Sequence, residues 1–152
     1  MELWKQLSEF RATHEYKIPG DGFFLFTKIG GRHSYNLAKD SSDVDFGGVY
    51  VSATRHVAGL DGVVDTWEHT KGEKPDFDFH EVGHFCRLLL KGNPNKIENL
   101  FIDVHSDLCN SNVTGNYWIE LVRNRRKLIS REVLKQYLGY MNGQLERLRR
   151  SQ

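Results

Sequence analysis

The chain has 152 residues, 39% apolar and 27% charged, an ordinary globular composition that excludes disorder, collagen and fibrous coiled coil. Its two cysteines, Cys86 and Cys109, stand far apart without a CxxC. That excludes a disulfide scaffold and a multi-cysteine zinc site, and implies reduced thiols in a cytoplasmic protein. Net charge is only +1 but is divided: residues 120–152 carry nine Lys/Arg against three Glu, and residues 1–119 carry twelve against seventeen Asp/Glu.

In chain order, Leu3, Leu7 and Phe10 sit at helical spacing within a predicted helix over 2–12. The cluster Ile18-Pro19-Gly20-Asp21-Gly22 is a turn, Phe23–Ile29 reads as a buried strand, and Gly30-Gly31 breaks it. Polar residues 32–42 make a loop or a short helical turn. A second strand is predicted over Val44–Val51, a turn at Gly59–Gly62, a third strand over Val63–Trp67, a turn at Lys71–Pro75 and a fourth strand over Asp76–Phe79. Helices follow over 80–91 and 95–103, divided at Asn93-Pro94, where proline suits a first helical turn. After a loop at 110–116 come a basic helix over Tyr117–Lys127 and a long one over 131–149, with Ser130 as its N-cap. Strands first and helices after predict an α+β protein. No apolar run is long enough to span a membrane.

The strongest chemical signal is Gly30-Gly31 followed, eleven residues on, by Asp43-Val44-Asp45-Phe46. In a strand, residues i and i+2 share a face, so Asp43 and Asp45 are expected side by side. Two adjacent carboxylates repel unless a cation joins them, and Mg2+ (or Mn2+) takes oxygen ligands while keeping room for phosphate oxygens. A glycine turn offers backbone N–H groups to a triphosphate. The bland alternative is an Asp-rich turn that caps a strand.

With more residues read, the sequence resembles the predicted nucleotidyltransferases of the DNA polymerase β superfamily, in the branch found beside RNA-repair ligases and in phages. The resemblance rests on three ordered blocks across roughly residues 23–148. The first is Gly31-Arg32-His33-Ser34-Tyr35-Asn36-Leu37-Ala38 with Ser42-Asp43-Val44-Asp45-Phe46-Gly47-Gly48-Val49-Tyr50-Val51. The second runs from Phe85 through Arg87–Asn95 to Glu98-Asn99-Leu100-Phe101. The third is Tyr137-Leu138-Gly139-Tyr140 with Gly143-Gln144-Leu145.

The resemblance implies a polymerase-β-type fold: a small mixed β-sheet followed by a helical C-terminal half. It implies Mg2+-dependent transfer of a nucleoside monophosphate from an NTP to an acceptor hydroxyl, with pyrophosphate leaving. Asp43 and Asp45 would hold metal. Asp78 would be the third carboxylate, metal ligand and base, with Asp76 as its rival. Gly30, Gly31 and Arg32 would hold the triphosphate. Family members carry Gly-Ser where this chain has Gly31-Arg32, or Gly30-Gly31 after a one-residue slip. Arg32 offers phosphate a fork of donors, but the lost serine also defines the alternative: a silent fold that binds a nucleotide, RNA or protein.

His80-Glu81-Val82-Gly83-His84 matches the HExxH zinc-protease pattern, with Glu98 available as a third ligand. On one helix, however, His80 and His84 would share a stripe with Arg87 and Lys91, which repels zinc and suits phosphate. Asn93 and Asn95 read as helix capping, or as site wall by the resemblance. The expected division is a core over 1–109 and a basic helical segment over 110–152 that would meet RNA or another nucleic acid, or else is a solvated face. Members of the family that the chain resembles usually extend beyond the third block, so whether 110–152 is the whole of that segment stays open.

Overall fold

The computed structural model describes residues 2–34, 37–39, 42–60, 62–69, 75–103, 109–110 and 115–150. Of the side chains of Arg32, Ser34, Asn110 and Asn116 nothing is described. All but Pro75 of the predicted turn at Lys71–Pro75 and most of the loop at 110–116 lie outside the described residues.

Five strands form one mixed sheet: β1 Phe23–Ile29, β2 Phe46–Val51, β3 Thr66–His69, β4 Phe77–Glu81 and β5 Cys109–Asn110, in the order β3-β4-β2-β1-β5. All pairs are antiparallel except β2 with β4, which run parallel in the register Gly47↔Asp78. The helices are α1 Leu3–His14, α2 Gly31–Ser34, α3 Thr54–Val57, α4 Val82–Leu90, α5 Pro94–Asn99, α6 Gly115–Asn124 and α7 Arg131–Arg150. A short 3-10 turn over Arg125–Leu128 ends α6, which corrects the single helix expected through Lys127.

Strand alternation divides the side chains into two cores. On one face Phe24, Phe46, Tyr50, Phe77 and Phe79 pack under α1, where the Phe10 ring stacks 4.3 Å from Phe46. On the other, Phe26 and Val49 meet Phe85, Leu89, Ile97 and Trp118 of the later helices, with the Phe26 and Trp118 rings 4.0 Å apart. A bulge between Phe24 and Phe26 lets both residues point into a core, one on each face. Gly48 lies where β1 crosses close by: a Cβ there would collide with the Phe26 carbonyl and lie 3.0 Å from the Phe79 ring.

Several predicted boundaries need correction: the third strand, expected over Val63–Trp67, is Thr66–His69, and the helix expected over 95–103 is Pro94–Asn99. Strand β2 starts at Phe46, so Asp43 and Asp45 precede the strand instead of opening it. The helix expected over 80–91 starts at Val82, because His80 and Glu81 complete β4. Glu81 is the N-cap of α4, and its carboxylate accepts from the N–H groups of Gly83 (2.6 Å) and His84 (3.4 Å). The HExxH spacing therefore straddles a strand–helix junction and does not place two histidines on one helix face.

Candidate active site

A cleft opens on the helical face of the sheet, where β1 ends and β2 and β4 begin. Lys28, Gly47 and Asp78 occupy one row across β1, β2 and β4. Because Gly47 has no side chain, the row has a gap between a lysine and an aspartate. A Cβ there would lie 3.0 Å from the Asp78 carbonyl oxygen and 3.8 Å from Lys28 Cε. Asp45 stands two residues before Gly47 and lines the same cleft, with Gly30 and Gly31 on one wall and Lys96 and Asn99 of α5 on the other.

The backbone holds Asp45 at this rim. Gly30 N–H donates to the Asp45 carbonyl at 2.8 Å, and Phe46 N–H donates to Asp76 at 2.9 Å, so both ladders extend one step beyond β2. Gly31 then turns away with φ 59°, a conformation that favours glycine. A Cβ on Gly31 would lie 2.5 Å from Asp45 Oδ2, so the absent side chain is the space into which that carboxylate fits.

Asp78 is held from two sides. The Lys96 ammonium lies 3.1 Å from Oδ2, and His80 Nε2 lies 3.1 Å from Oδ1. Thr66 Oγ1 is 3.2 Å from His80 Nδ1, which suits the tautomer that accepts from the threonine and donates to Asp78. Burial raises the Asp78 pKa, but the His80 hydrogen bond and the Lys96 charge outweigh it and bring it down to about 2. Burial, and then the charge of Lys96, pulls the Lys28 ammonium below its ordinary value. The Asn99 side-chain oxygen has no hydrogen-bond partner among the described residues, although Asn99 is only 3% exposed.

Asp43 and Asp76 lie in a neighbouring cleft with Gln6, Val44 and Pro75, and the two clefts share Asp45 and Phe46. Of the two candidate third carboxylates, Asp78 therefore faces the cleft with Asp45, and Asp76 faces the one with Asp43. Among the described residues no group of three His, Cys, Asp or Glu gathers closely enough to hold a metal.

A family model described as the RNA repair pathway DNA polymerase beta family (RlaP) matches residues 2–152. The chain belongs to this family. No curated protein and no solved structure matches it.

The polymerase-β type of site calls for hard divalent cations, and two of the residues here, Asp45 and Asp78, are of the ligand type such an ion takes. Asp45 and Asp78 supply carboxylate oxygens to a single cleft, and the Lys96 ammonium already stands against Asp78 as a cation does. Gly30 and Gly31 line this cleft. Arg32 follows in α2, and its side chain lies outside what is described.

Lys91 and Asn93 do not line the cleft. Lys91 is the exposed C-cap of α4, and Asn93 is the N-cap of α5, accepting from Lys96 N–H at 3.3 Å. The expected stripe of His80, His84, Arg87 and Lys91 is not formed. His80 turns to Asp78, while His84 and Arg87 both reach Asp65, at 3.3 and 2.9 Å.

Sequence reasoning missed Lys28, Gly47, Lys96 and Asn99 as cleft residues. One signal was available: Lys28 is the one charged residue of β1. Lys96 and Asn99 are three apart on α5 and share a face, but only the packing of α5 shows what that face meets.

Proposed function

We propose that this protein transfers a nucleoside monophosphate from an NTP to an acceptor hydroxyl, using Mg2+ or Mn2+ and releasing pyrophosphate. The observation that carries the reading is the cleft in which Asp45, Asp78, the Gly30-Gly31 turn, Lys28 and Lys96 face one another, in a member of a polymerase beta family.

Asp45 and Asp78 would hold the metal, which when bound neutralises charge on the triphosphate and lowers the pKa of the attacking hydroxyl. Asp43, beside Asp45 in the chain, is the next candidate ligand. Gly30 and Gly31 let the triphosphate approach the backbone, and Arg32 is proposed to contact it. Lys28 and Lys96 set two positive charges beside the carboxylates, where phosphate oxygens would lie. His80 keeps Asp78 ionised and oriented. Catalysis of this kind is positioning and charge neutralisation, with no nucleophilic side chain needed.

The second reading is a catalytically silent fold that binds nucleotide or RNA. It is favoured by the engagement of both Asp78 oxygens with Lys96 and His80, and by Arg32 in place of serine. Four NTPs with Mg2+ or Mn2+, assayed for pyrophosphate release with RNA and small-molecule acceptors, separate the two. Binding without pyrophosphate across all acceptors makes the silent fold the better description. RNA is the proposed acidic partner of the basic segment 120–152.

A further inference from the structure

Lys96 and Asp78 form an unusual ion pair, because the cation is the enclosed partner. The Lys96 side chain is 15% exposed and that of Asp78 is 48% exposed, so the carboxylate opens to the cleft while the ammonium backs onto α5. Lys96 at 3.1 Å and the hydrogen bond from His80 at 3.2 Å both fall on Oδ2, and His80 Nε2 also stands 3.1 Å from Oδ1, so nitrogen donors from two side chains already face the carboxylate. A divalent ion needs such an oxygen at about 2.1 Å, and it repels an ammonium on the same atom.

We propose that Lys96 is an internal counter-cation that closes the Asp78 carboxylate in the free protein and is displaced when a divalent cation binds there. The inference rests on the metal-dependent reading above. Two features of the cleft give the released ammonium a destination. Asn99, one helical turn beyond Lys96, is a lining residue of the cleft, and its buried side-chain oxygen has no hydrogen-bond partner among the described residues. The anionic substrate, bound beside Lys28, supplies phosphate oxygens. Lys96 therefore exchanges one acceptor for another, and metal entry frees a positive charge in the space the triphosphate is proposed to fill. Metal alone binds weakly, since it must first expel the lysine. Metal with nucleotide binds well, since the expelled lysine then gains a partner.

The test is Mn2+ binding without nucleotide, followed by the loss of free-ion EPR signal, in wild type, Lys96→Met and Lys96→Gln. Both variants should bind Mn2+ about tenfold tighter than wild type, the effect of removing one competing charge at a partly buried carboxylate. The gain should vanish when Asp45→Asn or Asp78→Asn is added.

A second measurement needs no variant. Reductive methylation of Lys96, mapped by mass spectrometry on the intact protein, should accelerate with Mg2+ and slow again with Mg2+ and a non-hydrolysable NTP. Equal Mn2+ affinity in wild type and both Lys96 variants, with binding still lost in Asp45→Asn, overturns the inference alone. So does Lys96 labelling that is indifferent to a metal shown to bind. Absence of Mn2+ binding in every protein, with or without nucleotide, overturns the metal-dependent reading and the inference together.

Discussion

Replacing Asp78 with asparagine should destabilise the protein, although it removes one of two carboxylates that share a cleft. The folded Asp78 carboxyl is held at about 2 against an ordinary 3.8, and 48% of its side chain is exposed. The full shift would correspond to about 2.4 kcal/mol, and solvent screening of a half-exposed group reduces it to about 1 kcal/mol. Lys96, 15% exposed, then loses its carboxylate, which adds up to about 1 kcal/mol. A total of about 1–2 kcal/mol lowers the melting temperature by roughly 2–6 °C in a chain of this length. The double variant Asp78→Asn/Lys96→Met should recover about 1 kcal/mol relative to the sum of the singles.

The sign with pH is fixed by the depressed folded value. The stabilisation is complete above pH 4 and is lost as pH falls through 4 toward 2, so the gap between wild type and Asp78→Asn should close across that window. Thermal melts of the four proteins at pH 7 and along an acid series decide it. Additive single effects, or an Asp78→Asn protein that melts at or above wild type, would refute the coupling.

Asp45→Asn should abolish pyrophosphate release while far-ultraviolet circular dichroism stays unchanged, because it removes charge and keeps size; residual turnover above a hundredth of wild type would count against a metal role. Gly31→Ala should cost about 1–2 kcal/mol in denaturant melts, since φ is 59° and the new methyl would press on Asp45 Oδ2; an unchanged midpoint would show that the turn relaxes freely. Gly47→Val should close the gap between Lys28 and Asp78 and lower nucleotide affinity at least tenfold in fluorescence titration. RNA binding should fall steeply with salt, and Arg123→Ala/Arg126→Ala should reduce the slope of log K against log salt by about 2. Arg125 is the poorer choice for this series, because its guanidinium lies 5.1 Å from the Phe101 ring.

How much of this was legible in the sequence follows the range over which each feature is determined. Strand β1 was read to the residue, because the aromatic and aliphatic run Phe23–Phe26, bounded by a turn cluster before it and by Gly30-Gly31 after Ile29, is a local signal. The caps at Asn93 and Ser130 were local too, and the structure has Ser130 Oγ accepting from Val133 N–H at 3.4 Å. Asp45 and Asp78 were chosen by spacing and resemblance, and the sheet register brings both to one cleft. Asp43 was expected beside Asp45 by strand alternation, but β2 starts at Phe46 and that rule does not reach back to Asp43. The strand β5 at Cys109–Asn110 was missed, since two residues carry no periodicity. His80 and Glu81 were read as the start of the helix over 80–91. Here Thr66 pairs with His80, and Tyr50 pairs with Glu81, whose N–H donates to the Asp65 carbonyl, so both residues are drawn into the sheet. Lys96 and Asn99 gained their meaning only from where α5 packs.

The parallel pairing of β2 with β4 has a consequence for how sequence length is tolerated. Asp45 and Asp78 meet only because Gly47 pairs with Asp78, and the two strands are joined through α3 and β3. Residues gained or lost in that connection leave the register intact, because the strands themselves fix it. A single deletion inside Phe77–Glu81 does the opposite. It carries Asp78 to the side occupied by Phe46 and Phe79 and turns a phenylalanine toward Lys28, dismantling the cleft and α1's core at once. Insertion–deletion scanning should therefore find a forgiving stretch between Ser52 and Asp65 bordered by two strands in which one residue more or less is lethal to both fold and chemistry.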